Sequence, residues 1–293
     1  MISILIPIYN YNTLPLVQEL CSQVNLLGKQ YEIICIDDAS DKKYNNEKIR
    51  NLPHCSYLIL KKNIGRSALR NCLSKKAMYD NLLFLDCDVM PVNDTFLEHY
   101  VSKLHKEVVY GGCSAIPKKP SVPYVLHWKY GKKREALCLK KRLRIPFKSF
   151  STVNFMIKKT ILEDIPFNES LKQYGCEDSL LAATLKSKNI SVSHIENPVY
   201  HNGIEPAVIF LAKSEKAMEN LAQLTSKNML PENFYRVSNI YRHLNYLRLH
   251  KIPELLVKHL KAFFTSNFNS SYPSIFLLDL YKLGYYSKVK KTN

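Results

Sequence analysis

"NLLFLDCDVMP", residues 81–91, sets two aspartates, Asp86 and Asp88, at the end of an apolar run. The run is apolar at successive rather than alternate positions. As a strand it is therefore covered on both faces, as in a parallel sheet packed between helices. The two carboxylates, one residue apart, point the same way from an extended chain. They repel, and nothing in the adjacent sequence neutralises them. Similar runs flank this one: "SILIPIY" (3–9), "YEIICID" (31–37), "SYLIL" (56–60) and "EVVYGG" (107–112). Helical spacing separates them at 12–27, with Asn12 or Thr13 as N-cap, and at 67–79 and 94–105. This alternation predicts an α/β fold with a mostly parallel central sheet and flanking helices.

After residue 116 the pattern changes. The stretch 117–150 is rich in Pro and Lys and has no clean period, so a long, partly mobile loop is expected. "STVNFMI" (151–157) reads as a strand that returns to the sheet, and 177–189 as a helix. From Pro206 onward helices are expected at 207–226, 232–249, 253–264 and 273–286. Three parts follow: an α/β half at 1–116, a second half of the same domain at 117–205, and a helical extension at 206–293.

The net charge of +17 is uneven. Residues 1–117 hold 13 Lys/Arg against 12 Asp/Glu, whereas 118–293 hold 29 against 13. A basic half fits nucleic acid, an anionic membrane surface or a phosphorylated substrate. "MISILIPIYN" lacks a basic n-region, and no apolar stretch is long enough to span a bilayer, so neither a signal peptide nor a membrane helix is expected. The eight cysteines form no CxxC and sit mostly in apolar runs, which reads as reduced thiols in a cytoplasmic protein.

Ligands of open parallel sheets bind beyond the carboxyl ends of the strands. There this sequence puts Tyr9, Asp38, the stretch from Asn63 through Gly65 to Arg66, and Asp86 with Asp88. Each has a plain structural alternative as a turn or cap residue, but all of them gather on one edge. A hard divalent cation, Mn2+ or Mg2+, explains the aspartate pair and would neutralise a leaving diphosphate. In "YGCEDSLL" (174–181), Glu177 and Asp178 open a helix, either as dipole complements or with one of them as a general base. His201, in "NPVYHNG", is a structural residue or a third metal ligand.

Together "ISILIPIYN", "YEIICIDDASD", "NIGRSALRN", "FLDCDVMP" and "YGCEDSLL" resemble, in order and spacing, the family 2 glycosyltransferases of GT-A fold, over residues 2–203. The resemblance implies a nucleotide-sugar-binding half at 1–116 and an acceptor-binding half at 117–205. By the same resemblance Tyr9 and Asp38 contact the base, with Pro7 shaping the strand exit. Asn63, Gly65 and Arg70 lie against the nucleotide, although Leu69 separates the family's alanine from its arginine, and Arg66 reaches the diphosphate. Asp86 lies at the ribose or metal, Asp88 ligates the metal and His201 completes its shell. Asp178 is the base, and Glu177 beside it positions the acceptor.

The implied reaction is an inverting displacement that moves one sugar from a UDP-linked donor to an acceptor hydroxyl, in the synthesis of a cell-surface glycan. The Gln-x-x-Arg-Trp motif of processive synthases is absent; the only tryptophan is Trp128. The basic residues Lys129, Lys132, Lys133, Arg134, Lys140, Lys141, Arg142, Arg144 and Lys148 are expected on the acceptor side. They would meet a lipid-linked diphosphate or the inner leaflet, helped by the apolar faces of 255–264 and 272–286. A nucleotidyltransferase of related fold is disfavoured because "PIYNYN" has no glycine. A nucleic-acid-binding protein is disfavoured because the charge avoids the first half and no familiar motif appears.

Overall fold

In the computed structural model, which describes residues 1–25, 28, 30–171 and 174–290, the first α/β elements follow the apolar runs closely. They are β1 (Ile2–Ile8), α1 (Leu14–Asn25), β2 (Tyr31–Asp37), β3 (Cys55–Ile59), α2 (Arg66–Lys76) and β4 (Asn81–Leu85). The last two positions of the helix read at 12–27 lie outside the described residues. Next come β5 (Val89–Pro91), α3 (Phe96–Val101), β6 (Val108–Tyr110), β7 (Cys113–Ala115), α4 (Val125–Tyr130) and α5 (Leu139–Arg144). β8 (Asn154–Lys158), α6 (Lys159–Asp164), α7 (Glu177–Ser187), β9 (Val192–His194) and β10 (Val199–His201) follow. The rest is helical: α8 (Ala207–Ser226), α9 (Arg236–Tyr246), α10 (Lys251–His259), α11 (Lys261–Phe268) and α12 (Ile275–Lys290).

The main sheet has the order β3-β2-β1-β4-β8-β6-β9. β8 runs antiparallel to β4 and β6; the other neighbours are parallel. β1 pairs with β2 over its whole length, from Ile2 with Tyr31 to Ile8 with Asp37. Ile4, Leu5 and Ile6 in β1 and Leu82 to Leu85 in β4 are fully buried. Each such side chain contributes about 1.5–3 kcal/mol relative to an exposed one. A small sheet, β5-β10-β7, lies beyond the end of β4.

The chain divides into two compact units. The first contains Met1–Ala115, Ala136–Lys172 and Glu177–Gly203, and therefore both sheets. The second contains Ile116–Glu135, Gln173–Cys176 and Ile204–Asn293. Its core is Leu126 with Phe210, Phe264, Phe268, Ile275 and Leu278. α8 and α12 run alongside each other through Tyr281 to Glu215, Tyr285 to Glu219 (2.6 Å) and Thr225 to Tyr286 (2.9 Å).

Residues 117–150, expected as a loop, are largely helical, with one turn of 3-10 helix before α4, one π turn after it, and then α5. Both α-helices have six residues, fewer than two turns, so neither shows a period in sequence. They are fixed by tertiary contacts instead. Trp128 Nε1 donates to Ile116 O at 2.8 Å, and His127 stacks on Phe210 at 4.3 Å. In the first unit Arg142 is 1% exposed and donates to the carbonyls of Leu137, Tyr110, Gly111 and Ile195. Arg142 is therefore not available to an acceptor or a membrane, contrary to the expectation for that basic run. Gly112 makes room for its guanidinium: a Cβ there would lie 2.8 Å from Nη2.

Candidate active site

The first corner of the rim is built by backbone locks. Asp37 closes β2, accepting from Ser40 N at 2.7 Å and from the Tyr57 hydroxyl at 2.9 Å. Ser40 in turn accepts from Asn10 N at 2.8 Å, tying the exits of β1 and β2 together. Asn10 and Ala39 both adopt left-handed backbone, with φ of 53° and 56°. Asn tolerates that region, whereas for Ala it costs about 1–2 kcal/mol, held by these bonds. Pro7 pairs with Ile36 inside the sheet, and Tyr9 beyond it is 47% exposed, its hydroxyl donating to Asp41.

Asp38 is buried, and its carboxylate accepts from the amides of Ile64 at 2.8 Å and Gly65 at 3.0 Å. Asn63 Nδ2 donates back to Asp38 O at 3.1 Å. The Asn-Ile-Gly stretch is thus clamped to the end of β2. Gly65 has φ of 85°, a conformation glycine takes at little cost, and it delivers Arg66 as the first residue of α2.

One turn later, Arg70 lies under the rim with its side chain 3% exposed. Its Nη2 donates to Asp86 Oδ1 at 2.8 Å, its Nη1 lies 3.9 Å from Glu177 Oε1, and its guanidinium faces the Phe167 ring. Arg66 approaches the same Glu177 oxygen from the exposed side, at 3.5 Å. Arg70 therefore joins the end of β4 to the start of α7, two segments about ninety residues apart. Beside Glu177, burial and the Glu177 charge push Asp178 up to about 7, against the opposing pull of Ser179 and Arg70. A carboxyl titrating there is matched to proton abstraction at neutral pH.

The second cluster depends on the small sheet. Val89 pairs with His201 across β5 and β10, and Asn202 N donates to Asp88 O at 2.8 Å. This register brings Asp88 Oδ2 to 3.5 Å from His201 Nε2. Burial pushes Asp88 upward, but His201 and then Arg66 outweigh it and hold the carboxyl below its ordinary range. Asp86, expected at the ribose or metal, is paired with Arg70. Among the described residues no three His, Cys, Asp or Glu side chains cluster as a metal site.

The Asp88–His201 pair nonetheless suits a divalent cation that takes its other ligands from substrate and water. Adjacent ligands of an octahedral ion with bonds of about 2.1 Å stand roughly 3 Å apart, close to the spacing found here. A carboxylate with an imidazole favours manganese over magnesium, which prefers oxygen alone.

Sequence reading passed over Gly203. A Cβ at this position would lie 1.8 Å from Asp88 Oδ2, so only glycine leaves that carboxylate its place. Gly203→Ala is expected to abolish metal-dependent nucleotide binding while leaving the far-UV circular dichroism unchanged. Retained manganese-dependent UDP binding would show that the carboxylate does not need that space. Only the folded close approach reveals this glycine; in sequence it is one residue after "HN" in a turn.

The family model for glycosyl transferase family 2 matches residues 3–166, more than half of the chain. No curated protein sequence matches it. Among solved structures, the mannosyltransferase PcManGT from Pyrobaculum calidifontis, in complex with GDP-Man and Mn2+, is similar at a TM-score of 0.60 and 15% identity, over 99% of this chain and 86% of that one. S. aureus TarS 1-349 in complex with UDP-GlcNAc gives 0.53 and 17%, over 99% and 90%. Glucosyl-3-phosphoglycerate synthase from Mycobacterium tuberculosis, with Mn2+, UDP and glucosyl-3-phosphoglycerate, gives 0.51 and 14%, over 79% and 81%. At these identities the likeness speaks for the fold alone. The fold is thus of the GT-A type, and the chain belongs to glycosyl transferase family 2 and is a glycosyltransferase.

Proposed function

We propose that this glycosyltransferase moves one sugar from a nucleotide-diphosphate sugar, UDP-linked, to an acceptor hydroxyl with inversion at the anomeric carbon. The observation that carries this reading is the pairing of Asp178, pushed up to about 7, with a separate carboxylate–imidazole pair at Asp88 and His201. One group takes a proton and the other holds a cation, and a single displacement needs no further nucleophile. The sugar nucleotides bound by TarS and PcManGT support the donor class.

In this reading Tyr9, Pro7 and Asp38 border the base, and Asn63 and Gly65 line the nucleotide. Arg66 faces the diphosphate, while Arg70 holds Asp86 in place from below. Asp88 and His201 would hold Mn2+ or Mg2+, which supplies Lewis-acid neutralisation of the leaving diphosphate. Asp178 takes the acceptor proton, and Glu177, held near Arg66 and Arg70, positions the acceptor. The acceptor is a glycan or a lipid-linked intermediate of a cell-surface glycan, bound by 117–205, and the enzyme works at the inner face of the membrane.

Because the base must be ionised, kcat is expected to rise with pH through about 7 and level off above it. A flat profile between pH 5.5 and 8.5 would remove Asp178 from that role. The reading as a whole is tested by thermal shift with nucleotide diphosphates and their sugars. UDP and UDP-sugars should raise Tm with manganese and much less without it. No shift with any nucleotide, alongside pyrophosphate release from a nucleoside triphosphate, would replace it with nucleotidyl transfer.

A further inference from the structure

α12, expected from sequence to offer an apolar face, turns Leu278 and Tyr286 fully inward, and of its large apolar side chains leaves Phe276 strongly exposed. The segment 242–263 does the opposite. α10 lays Pro253 and Val257 on α12 at Gly284, where a Cβ would lie 2.5 Å from Val257 Cγ2 and 2.6 Å from Pro253 O. That contact fixes the inward face of the helix. The other side presents Ile252, Leu255 and Leu256, at 47%, 49% and 40% exposure, three and four residues apart on one face. The helix breaks at Leu260, which has φ of −102° and ψ of 23°. α11 then buries Phe264 and Phe268 and leaves Phe263 55% exposed. Ahead of α10, Tyr246 is 88% exposed, and Leu247 and Leu249 are exposed as well.

The charge around this apolar strip is of one sign. Residues 242–263 hold Arg242, Arg248, Lys251, Lys258 and Lys261 against the single acid Glu254, which is half-buried. Lys251 and Lys258, seven residues apart, lie together along one border of the strip. Large exposed apolar side chains edged by lysine on one face of a helix are what an interfacial membrane helix requires. The run 129–134 is partly engaged within its own unit, though Lys132 and Lys133 remain exposed. Lys129 donates to Pro273 O at 2.7 Å, Arg134 pairs with Asp279, and Lys132 lies over the Trp128 ring. Among the described residues no helix is long and apolar enough to cross a membrane.

We infer that residues 242–263, with α10 at their centre, dock the enzyme on an anionic lipid bilayer by sinking Ile252, Leu255, Leu256 and Phe263 among the acyl chains while Lys251, Lys258 and Lys261 meet the headgroups. The inference deepens the reading of a membrane-borne acceptor, on which its purpose rests, and moves the contact from the 118–148 run to the C-terminal helices.

The test is flotation of the full chain, without nucleotide or metal, on vesicles of phosphatidylcholine alone and on vesicles containing one third phosphatidylglycerol. The wild type should float with the anionic vesicles only, and less as sodium chloride rises from about 0.1 M to about 0.5 M. Leu255→Glu with Leu256→Glu, and Lys251→Glu with Lys258→Glu, should each cut recovery at least roughly tenfold with unchanged thermal melting. Lys132→Glu with Lys133→Glu should leave it intact.

Equal recovery on neutral vesicles, undiminished recovery of the 251–258 variants, or loss in the 132–133 variant would overturn the assignment. So would a wild-type dimer in sedimentation that the 255–256 variant dissolves, since a second copy would then cover the face. An inert transfer assay with normal flotation would fault the enzymatic reading alone. Normal transfer to a soluble acceptor without flotation would fault this one.

Discussion

Asp178→Asn is expected to lower the turnover of sugar transfer by a factor of about 10² to 10⁴ while changing the affinity for UDP by less than about twofold. The amide keeps the shape and the hydrogen bond to Ser179 N, found at 2.7 Å, but it cannot accept a proton. Single-turnover kinetics with titration calorimetry for UDP separates the two effects. A second consequence is read without activity. In the native protein Asp178 has its pKa raised to about 7, above the roughly 3.9 of an unfolded chain, so the folded state holds this proton more tightly. Its favourable contribution is complete below pH 4 and is lost as the pH climbs through 7. The asparagine variant escapes that loss, so it should be more stable than the wild type at pH 8 and gain little at pH 4. Equal urea midpoints of the two proteins at both pH values would mean that Asp178 is not forced to ionise in a buried place.

Arg142→Met is expected to destabilise the first unit by about 2–4 kcal/mol, since a buried carbonyl left without a donor costs about 1–3 kcal/mol. The methionine fills much of the volume, but the carbonyls of Leu137, Tyr110, Gly111 and Ile195 each lose a donor. Arg142→Lys should recover only part of the loss, because one ammonium cannot address four carbonyls spread around a planar fork. Urea unfolding monitored by circular dichroism measures both. A change below about 1 kcal/mol for the methionine variant would show that the carbonyls find other donors.

The strands of the central sheet, β9 (Val192–His194) apart, were legible because their cause is local. Runs such as "ILIPI" and "LLFL" are apolar at every position, and this holds whatever packs on them. Helices α4 and α5 were not legible. Each is shorter than two turns, and what holds them, Trp128 on a carbonyl and Arg142 inside the first unit, involves residues far away in sequence. The same limit explains why Arg142 was expected on the acceptor side with the rest of its basic run, although it is buried. Periodicity also could not say which C-terminal apolar face is covered: of two segments with comparable patterns, 275–286 buries Ile275, Leu278, Leu283 and Tyr286, whereas 252–263 leaves Ile252, Leu255, Leu256 and Phe263 exposed.

The candidate site divides along the same line. Asp86, Asp88, Glu177, Asp178 and His201 stood out because carboxylates and imidazoles at strand and helix ends carry chemistry in themselves. Their pairings did not stand out. The first aspartate goes to Arg70 and the second to His201, and that division follows from Arg70 of α2 reaching Asp86 while β10 pairs with β5. Asp38, expected at the base, also has a partnership that did not stand out: its carboxylate is engaged by the amides of Ile64 and Gly65. Gly203 was invisible because its importance lies in an atom it lacks.

The most direct test is calorimetric titration of UDP into the wild type and into Asp88→Ala, each with manganese and with a chelator. Wild-type binding should tighten at least tenfold with manganese, and the variant should bind equally weakly in both conditions. Manganese-dependent tightening that survives in Asp88→Ala would contradict the account, because the cation would then sit somewhere other than beside Asp88 and His201.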